Sequence, residues 1–174
     1  MFRKGFTLIE LIVVIAIIAI LAAVVAPSAF KSVEKAKIAG TVGDWKSVKT
    51  GAAAYFSDVG IWPVNCSGSA DCQTKGFFNN TGVAGWDGPY LDKWPNGRWG
   101  GGLVSWYATD TDTTFGPGST GARWITVTNV TSQDAANKVD LALDGGTSAN
   151  LTSGQCRWAS NNITIIISRD GQIN

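Results

Sequence analysis

Apolar positions along this chain change their spacing three times. From Leu11 to Ala26 the run LIVVIAIIAILAAVVA holds no charged, amide or hydroxyl side chain. Phe6 to Ala26 is 21 residues, which as a helix rising 1.5 Å per residue spans about 30 Å, the thickness of a bilayer hydrocarbon core. Beyond Pro27, the residues Phe30, Val33, Ile38, Val42, Trp45, Val48, Ala52, Tyr55, Phe56 and Val59 recur mostly every three or four positions. That spacing predicts an amphipathic continuation of the same helix, with its stripe covered by a sheet and its end at Gly60. Pro27 lacks a backbone donor, so it is expected to kink the helix where the apolar half meets the amphipathic half. Gly40, Gly43 and Gly51 each cost about 1 kcal/mol against alanine in a helix, so tertiary packing must hold this part.

After Gly60 the period disappears. Ile61 to Gly102 is rich in Gly, Asn, Pro and Trp and reads as one long structured loop. Three β-rich runs follow, LVSWYA from Leu103, RWITVTNV from Arg123 and ITIIIS from Ile163. Between the last two, Ser132 is a candidate N-cap, Val139 and Leu143 are four apart, and Gly145 is a stop signal, which predicts a short helix. No internal repeat is present. The fold class is α+β: a long N-terminal helix packed against a small antiparallel β-sheet.

Composition narrows what such a chain can do. Its 174 residues, 45% hydrophobic, suffice for one head and one anchor. The formal net charge is +1 with basic residues scattered, so the footprint of nucleic-acid binding is missing. There is no histidine, which removes Ser-His-Asp and Cys-His catalytic sets and histidine-ligated zinc. No enzyme activity is expected.

The amino-terminal segment admits two readings, because a secretory signal peptide also opens with basic residues, here Arg3 and Lys4, ahead of an apolar run. The cleavage region AAVVAPSAF places Pro27 directly after Ala26, which favours an anchor. Charge does not orient it: Arg3 and Lys4 on one side oppose Lys31, Lys35 and Lys37 on the other. Cysteines beyond the run favour an external head. Glu10 stands out, since an unpaired carboxylate at the bilayer centre costs about 2.5 to 3.5 kcal/mol. A partner for it is expected.

KGFTLIELIVVIAIIAILAAVVAP resembles the class III signal of type IV pilins and type II secretion pseudopilins, over about the first 30 positions. The resemblance implies a leader of residues 1–5 cut by a prepilin peptidase after Gly5, and methylation of the new amino terminus at Phe6. It implies a membrane and filament-core helix over 6–29 and a head over 30–174. Thr7 and Glu10 fall in the assembly motif, where the family pairs the glutamate with the amino terminus of a neighbouring subunit. Opposite charges about 4 Å apart attract by about 4 kcal/mol at an effective dielectric near 20, comparable to the burial cost, so Glu10 would act as a registry device. Pro27 matches the family proline. Ala19 stands where many pilins have a glycine, which puts local melting of the helix in doubt. GWDGPYLDKWPNGRWGG resembles a loop of the type II secretion major pseudopilin over about fifteen residues.

The remaining features are less specific. Trp86, Tyr90, Trp94 and Trp99 are expected to pack loop against sheet rather than to form a stacking platform for a ligand. GPGSTG from Gly116 matches G-x-G-x-x-G but precedes a strand and contains a proline, so it is not a dinucleotide site. Asp110 and Asp112 in DTDT are the candidate calcium ligands, kept because related pseudopilins bind calcium in their C-terminal region; no other cofactor is expected. Triplets of the N-x-S/T type, such as Asn129 to Thr131, are chance matches in this composition. Cys66, Cys72 and Cys156 allow three pairings; the short, small-residue spacing favours Cys66 with Cys72, leaving Cys156 as a buried thiol. Together these features give a pilus-like filament subunit, a secretion pseudopilin, or a membrane-anchored extracytoplasmic binding protein. Expected partners are other copies of the chain, prepilin peptidase, inner-membrane assembly machinery and membrane lipid before assembly, with no nucleic acid. The precursor is expected as a single-pass inner-membrane protein and the assembled form as a surface or periplasmic filament.

Overall fold

A computed structural model describes residues 5–108, 121–144, 155–169 and 172–173. The first element is one helix, α1 (Leu8–Val59), which contains Pro27. The chain forms two compact units, Met1–Ala36 and Lys37–Asn174, and α1 contributes to both.

In the first unit every residue from Leu8 to Val33 is exposed. Pro27 leaves the Ala23 carbonyl without its helical donor. Just after it, two hydroxyls fold back on the helix: Ser28 Oγ donates to the Val25 carbonyl at 2.8 Å and Ser32 Oγ to the Ser28 carbonyl at 3.0 Å. The expected stripe therefore starts later than its spacing implied, since Phe30 is 75% and Val33 54% exposed.

In the second unit, Ile38, Thr41, Trp45, Val48, Gly51, Ala52 and Tyr55 form the buried face of α1. Gly60 follows at φ 78° with its N–H on the Phe56 carbonyl at 2.8 Å, ending the helix as glycine can without a Cβ clash. The sheet comprises β1 (Cys66–Ser67), β2 (Val104–Ala108), β3 (Arg123–Val127), β4 (Cys156–Ala159), β5 (Asn162–Arg169) and β6 (Gln172–Ile173). Its order is β1-β2-β3-β5-β4, with β6 also paired to β5, and all pairings are antiparallel. Two short helices complete it, α2 (Gly68–Cys72) and α3 (Gln133–Asp144).

Strand alternation sorts the side chains. Ile125, Val127, Ile163, Ile165 and Ile167 join the main core with Val48, Ala52, Trp106, Ala136 and Val139, while Trp124 and Ile166 form a second cluster with Ala122. β4 and β5 meet in a two-residue turn, Ser160 and Asn161, at φ 51° and 62°, the left-handed pair that matches strand twist. α3 starts as expected: Ser132 Oγ accepts the Ala135 N–H at 3.3 Å. Gly145 lies outside the described residues.

The stretch 61–102 is not one loop, because β1 and α2 interrupt it. A two-residue strand has no readable period, and a five-residue helix shows no face. The aromatic residues there do tie loop to fold. Indole N–H groups donate from Trp86 to the Gly76 carbonyl (2.7 Å), from Trp94 to Val104 (2.8 Å) and from Trp99 to Thr41 Oγ1 (3.1 Å). Trp94 and Trp99 are buried, and the Tyr90 ring meets Trp86 and Tyr55 edge-on.

Candidate processing and assembly segment

Gly5, Phe6 and Thr7 precede α1 without helical structure, and Phe6 is 85% exposed. Thr7 is the N-cap of the helix. Its Oγ1 accepts the Glu10 N–H at 3.3 Å, while Glu10 Oε2 accepts the Thr7 N–H at 2.8 Å and the Thr7 hydroxyl at 2.7 Å. Two donors that a helix start leaves open are thus satisfied reciprocally, a capping box. The pattern is present in the sequence as T-L-I-E, a Ser/Thr followed three residues later by Glu, a local role for Glu10 that the intersubunit expectation does not include. All three bonds use Oε2 or the backbone; Oε1 takes part in none of them. Glu10 therefore caps its own helix through Oε2 and its backbone N–H.

The apolar part of α1 is long and apolar enough to cross a membrane, and none of its most apolar window is buried. Pro27 stands just after this run, inside the helix.

Farther along, Cys66 and Cys72 form a disulfide with Cα atoms 4.9 Å apart, and Cys156 is buried on β4 outside the bridge. The bridge closes around α2. Asp71 in that helix accepts the Ser67 N–H at 2.8 Å and pairs with Lys75 at 3.2 Å. The Ser67 N–H first, then Lys75, hold its carboxyl below the usual aspartate range.

The loop GWDGPYLDKWPNGRWGG seats on α1 through two glycines. At Gly51 an added Cβ would lie 2.9 Å from the Tyr90 carbonyl oxygen and 2.9 Å from Leu91 Cδ2, and at Gly40 it would meet the Arg98 guanidinium. Arg98 crosses Gly40 to form a forked pair with Asp44, both bonds 2.7 Å. Lys37 lies over the Trp99 ring, 5.5 Å from its centroid. Asp110 and Asp112 lie outside the described residues, and among the described residues no group of His, Cys, Asp or Glu side chains could hold a metal.

Residues 1–26 match the prokaryotic N-terminal methylation motif, and residues 32–115 match the family described as PilW, C-terminal. The chain is type IV pilin-like. No curated protein and no solved structure matches it. The two matches meet near Pro27, one covering the capping box and apolar helix, the other the amphipathic half of α1 and the loop seated on it. This makes the pilin-like chain a component of a pilus or pseudopilus, and its signal with the apolar helix fits a membrane-anchored precursor.

Proposed function

We propose that this chain is the structural subunit of a type IV pilus-like filament, held in the inner membrane by a single span until a prepilin peptidase cuts after Gly5 and Phe6 is methylated. The observation that carries the reading is the wholly exposed apolar part of α1 behind a processing motif. In a bilayer that surface faces lipid; in a filament it faces the same helix of other copies. Head-to-tail helix contacts do not close on themselves, so they build an open fibre.

Glu10 is the registry group. With Thr7 bound to Oε2, Oε1 is the oxygen that would take the amino terminus of a neighbouring Phe6. At about 4 Å and an effective dielectric near 20 such a pair gains about 4 kcal/mol. A subunit docked one step out of place leaves both charges unpaired. Pro27 would bend the helix where the packed filament core gives way to the head.

A second reading, a type II secretion pseudopilin, is supported by the loop GPYLDKWP seated against Gly51. The additional β4–β5 hairpin and α3 enlarge the head beyond what a compact secretion subunit needs and favour a surface fibre. A ligand-binding role for the loop around Trp86, Trp94 and Trp99 is disfavoured, because these three indole N–H groups are engaged internally.

Glu10→Ala tests the assembly role. The variant should remain membrane-bound with a folded head and give little sheared fibre. Normal fibre yield would remove the registry argument. Deletion of the gene should abolish surface fibres and leave protein secretion intact; loss of secretion with unchanged fibres would select the second reading.

A further inference from the structure

Three lysines follow the apolar run, and they are not equivalent. Lys37 is committed to the head, over the Trp99 ring. Lys31 and Lys35 are exposed, one helical turn apart on one face, and no carboxylate pairs with either among the described residues. Phe30 directly precedes the pair and Val33 lies between them, 75% and 54% exposed. The nearby hydroxyls do not compete for a ligand as donors, since Ser28 and Ser32 donate back to helix carbonyls.

Their distance from the apolar run is informative. Counted from Ala26, Lys31 lies about 7.5 Å and Lys35 about 13.5 Å further along the helix axis. The headgroup layer on each side of a bilayer is about 5 to 8 Å deep. Side chains on a helix lean toward its N-terminus, here back toward the apolar run, so both ammonium groups reach toward that layer. Phe30 lies at about the same depth, about 6 Å past Ala26 along the axis, and is exposed.

We propose that Lys31 and Lys35 bind the phosphates of anionic phospholipid headgroups in the leaflet where α1 leaves the membrane, fixing the depth of the precursor before assembly. The proposal rests on the reading that the apolar half of α1 spans the bilayer. Charge selects the occupant: two cations one turn apart, with Glu34 the one acidic residue between them in sequence and no ion pair to either lysine among the described residues, beside exposed apolar side chains, fit an anionic lipid surface. Each lysine near such a surface favours it by about fivefold, so the pair gives up to about 30-fold at low salt.

The test uses the full chain reconstituted in phosphatidylcholine vesicles with trace spin-labelled phosphatidylglycerol or phosphatidylcholine. The fraction of each motionally restricted by the protein gives the preference. The expected result is a several-fold preference for phosphatidylglycerol, up to about 30-fold, weakening with added salt. It should collapse to about one in Lys31→Gln/Lys35→Gln and persist in Lys37→Gln. Inserted wild-type chain without the preference, or the same preference in the double variant, overturns the proposal. An unchanged preference in a double variant that no longer forms fibres assigns the lysines to a neighbouring subunit instead and also overturns it. A chain that alkaline carbonate washes off the vesicles contradicts the spanning reading itself, and the lipid proposal with it.

Discussion

Two glycines in α1 should respond in opposite directions to the same substitution. Gly43 is exposed, and an added Cβ there meets nothing within 4 Å. Gly43→Ala should therefore gain the full helix-propensity difference, about 1 kcal/mol. Gly51 is buried, and its added Cβ would lie 2.9 Å from a backbone oxygen, that of Tyr90, and equally close to Leu91. A backbone atom yields only if the whole loop shifts, and overpacking of that kind costs about 1 to 3 kcal/mol. Setting the same propensity gain against it leaves Gly51→Ala about 0 to 2 kcal/mol less stable than wild type. At about 2 to 4 °C per kcal/mol for a chain of this size, the two variants should separate by about 2 to 12 °C, Gly43→Ala above wild type and Gly51→Ala at or below it. Thermal unfolding of the detergent-solubilised full chain, followed by tryptophan fluorescence, reads this directly. Equal stabilisation in both variants would refute the argument, because the loop could not then be seated against the helix at Gly51.

Removing the Cys66–Cys72 bridge as the double serine variant should cost about 2 kcal/mol by the loop-closure argument for so short a loop; non-reducing peptide mapping checks the bridge, and Cys156 in any disulfide would contradict it. Asp71 has a depressed pKa, so its stabilising contribution is complete above the unfolded value near 3.9 and is lost as pH falls through the lower folded value. The stability difference between wild type and Asp71→Asn should accordingly be constant from pH 7 down to about pH 5 and shrink toward pH 3; a difference that grows on acidification would reverse the sign.

How legible this molecule is in its sequence depends on how far each feature extends along the chain. A helix of 52 residues and strands such as β5 repeat their period often enough to be read. Ser132 as N-cap and Gly60 as the stop of α1 follow from local chemistry that a single residue carries. β1 could not be read in the same way, because its two residues become a strand only by pairing with Ser105 and Trp106, far away in the chain. Gly40 and Gly51 look like costs along the helix; their use appears only when Arg98 and Tyr90 arrive from the loop. Phe30 and Val33 continue the apolar spacing, yet spacing alone does not say where the covering sheet begins. The Thr7–Glu10 box is legible as T-L-I-E, but two roles overlap there, since one glutamate serves both the start of its own helix and, on the proposed reading, the neighbouring subunit.

The central claim is that residues 1–5 are removed and the chain works as a processed, polymerising subunit. Intact-mass and N-terminal fragment analysis of protein recovered from sheared fibres tests it most directly. The account predicts a chain beginning at N-methylated Phe6 with the disulfide closed; recovery of assembled chain that retains Met1 to Gly5 would contradict it.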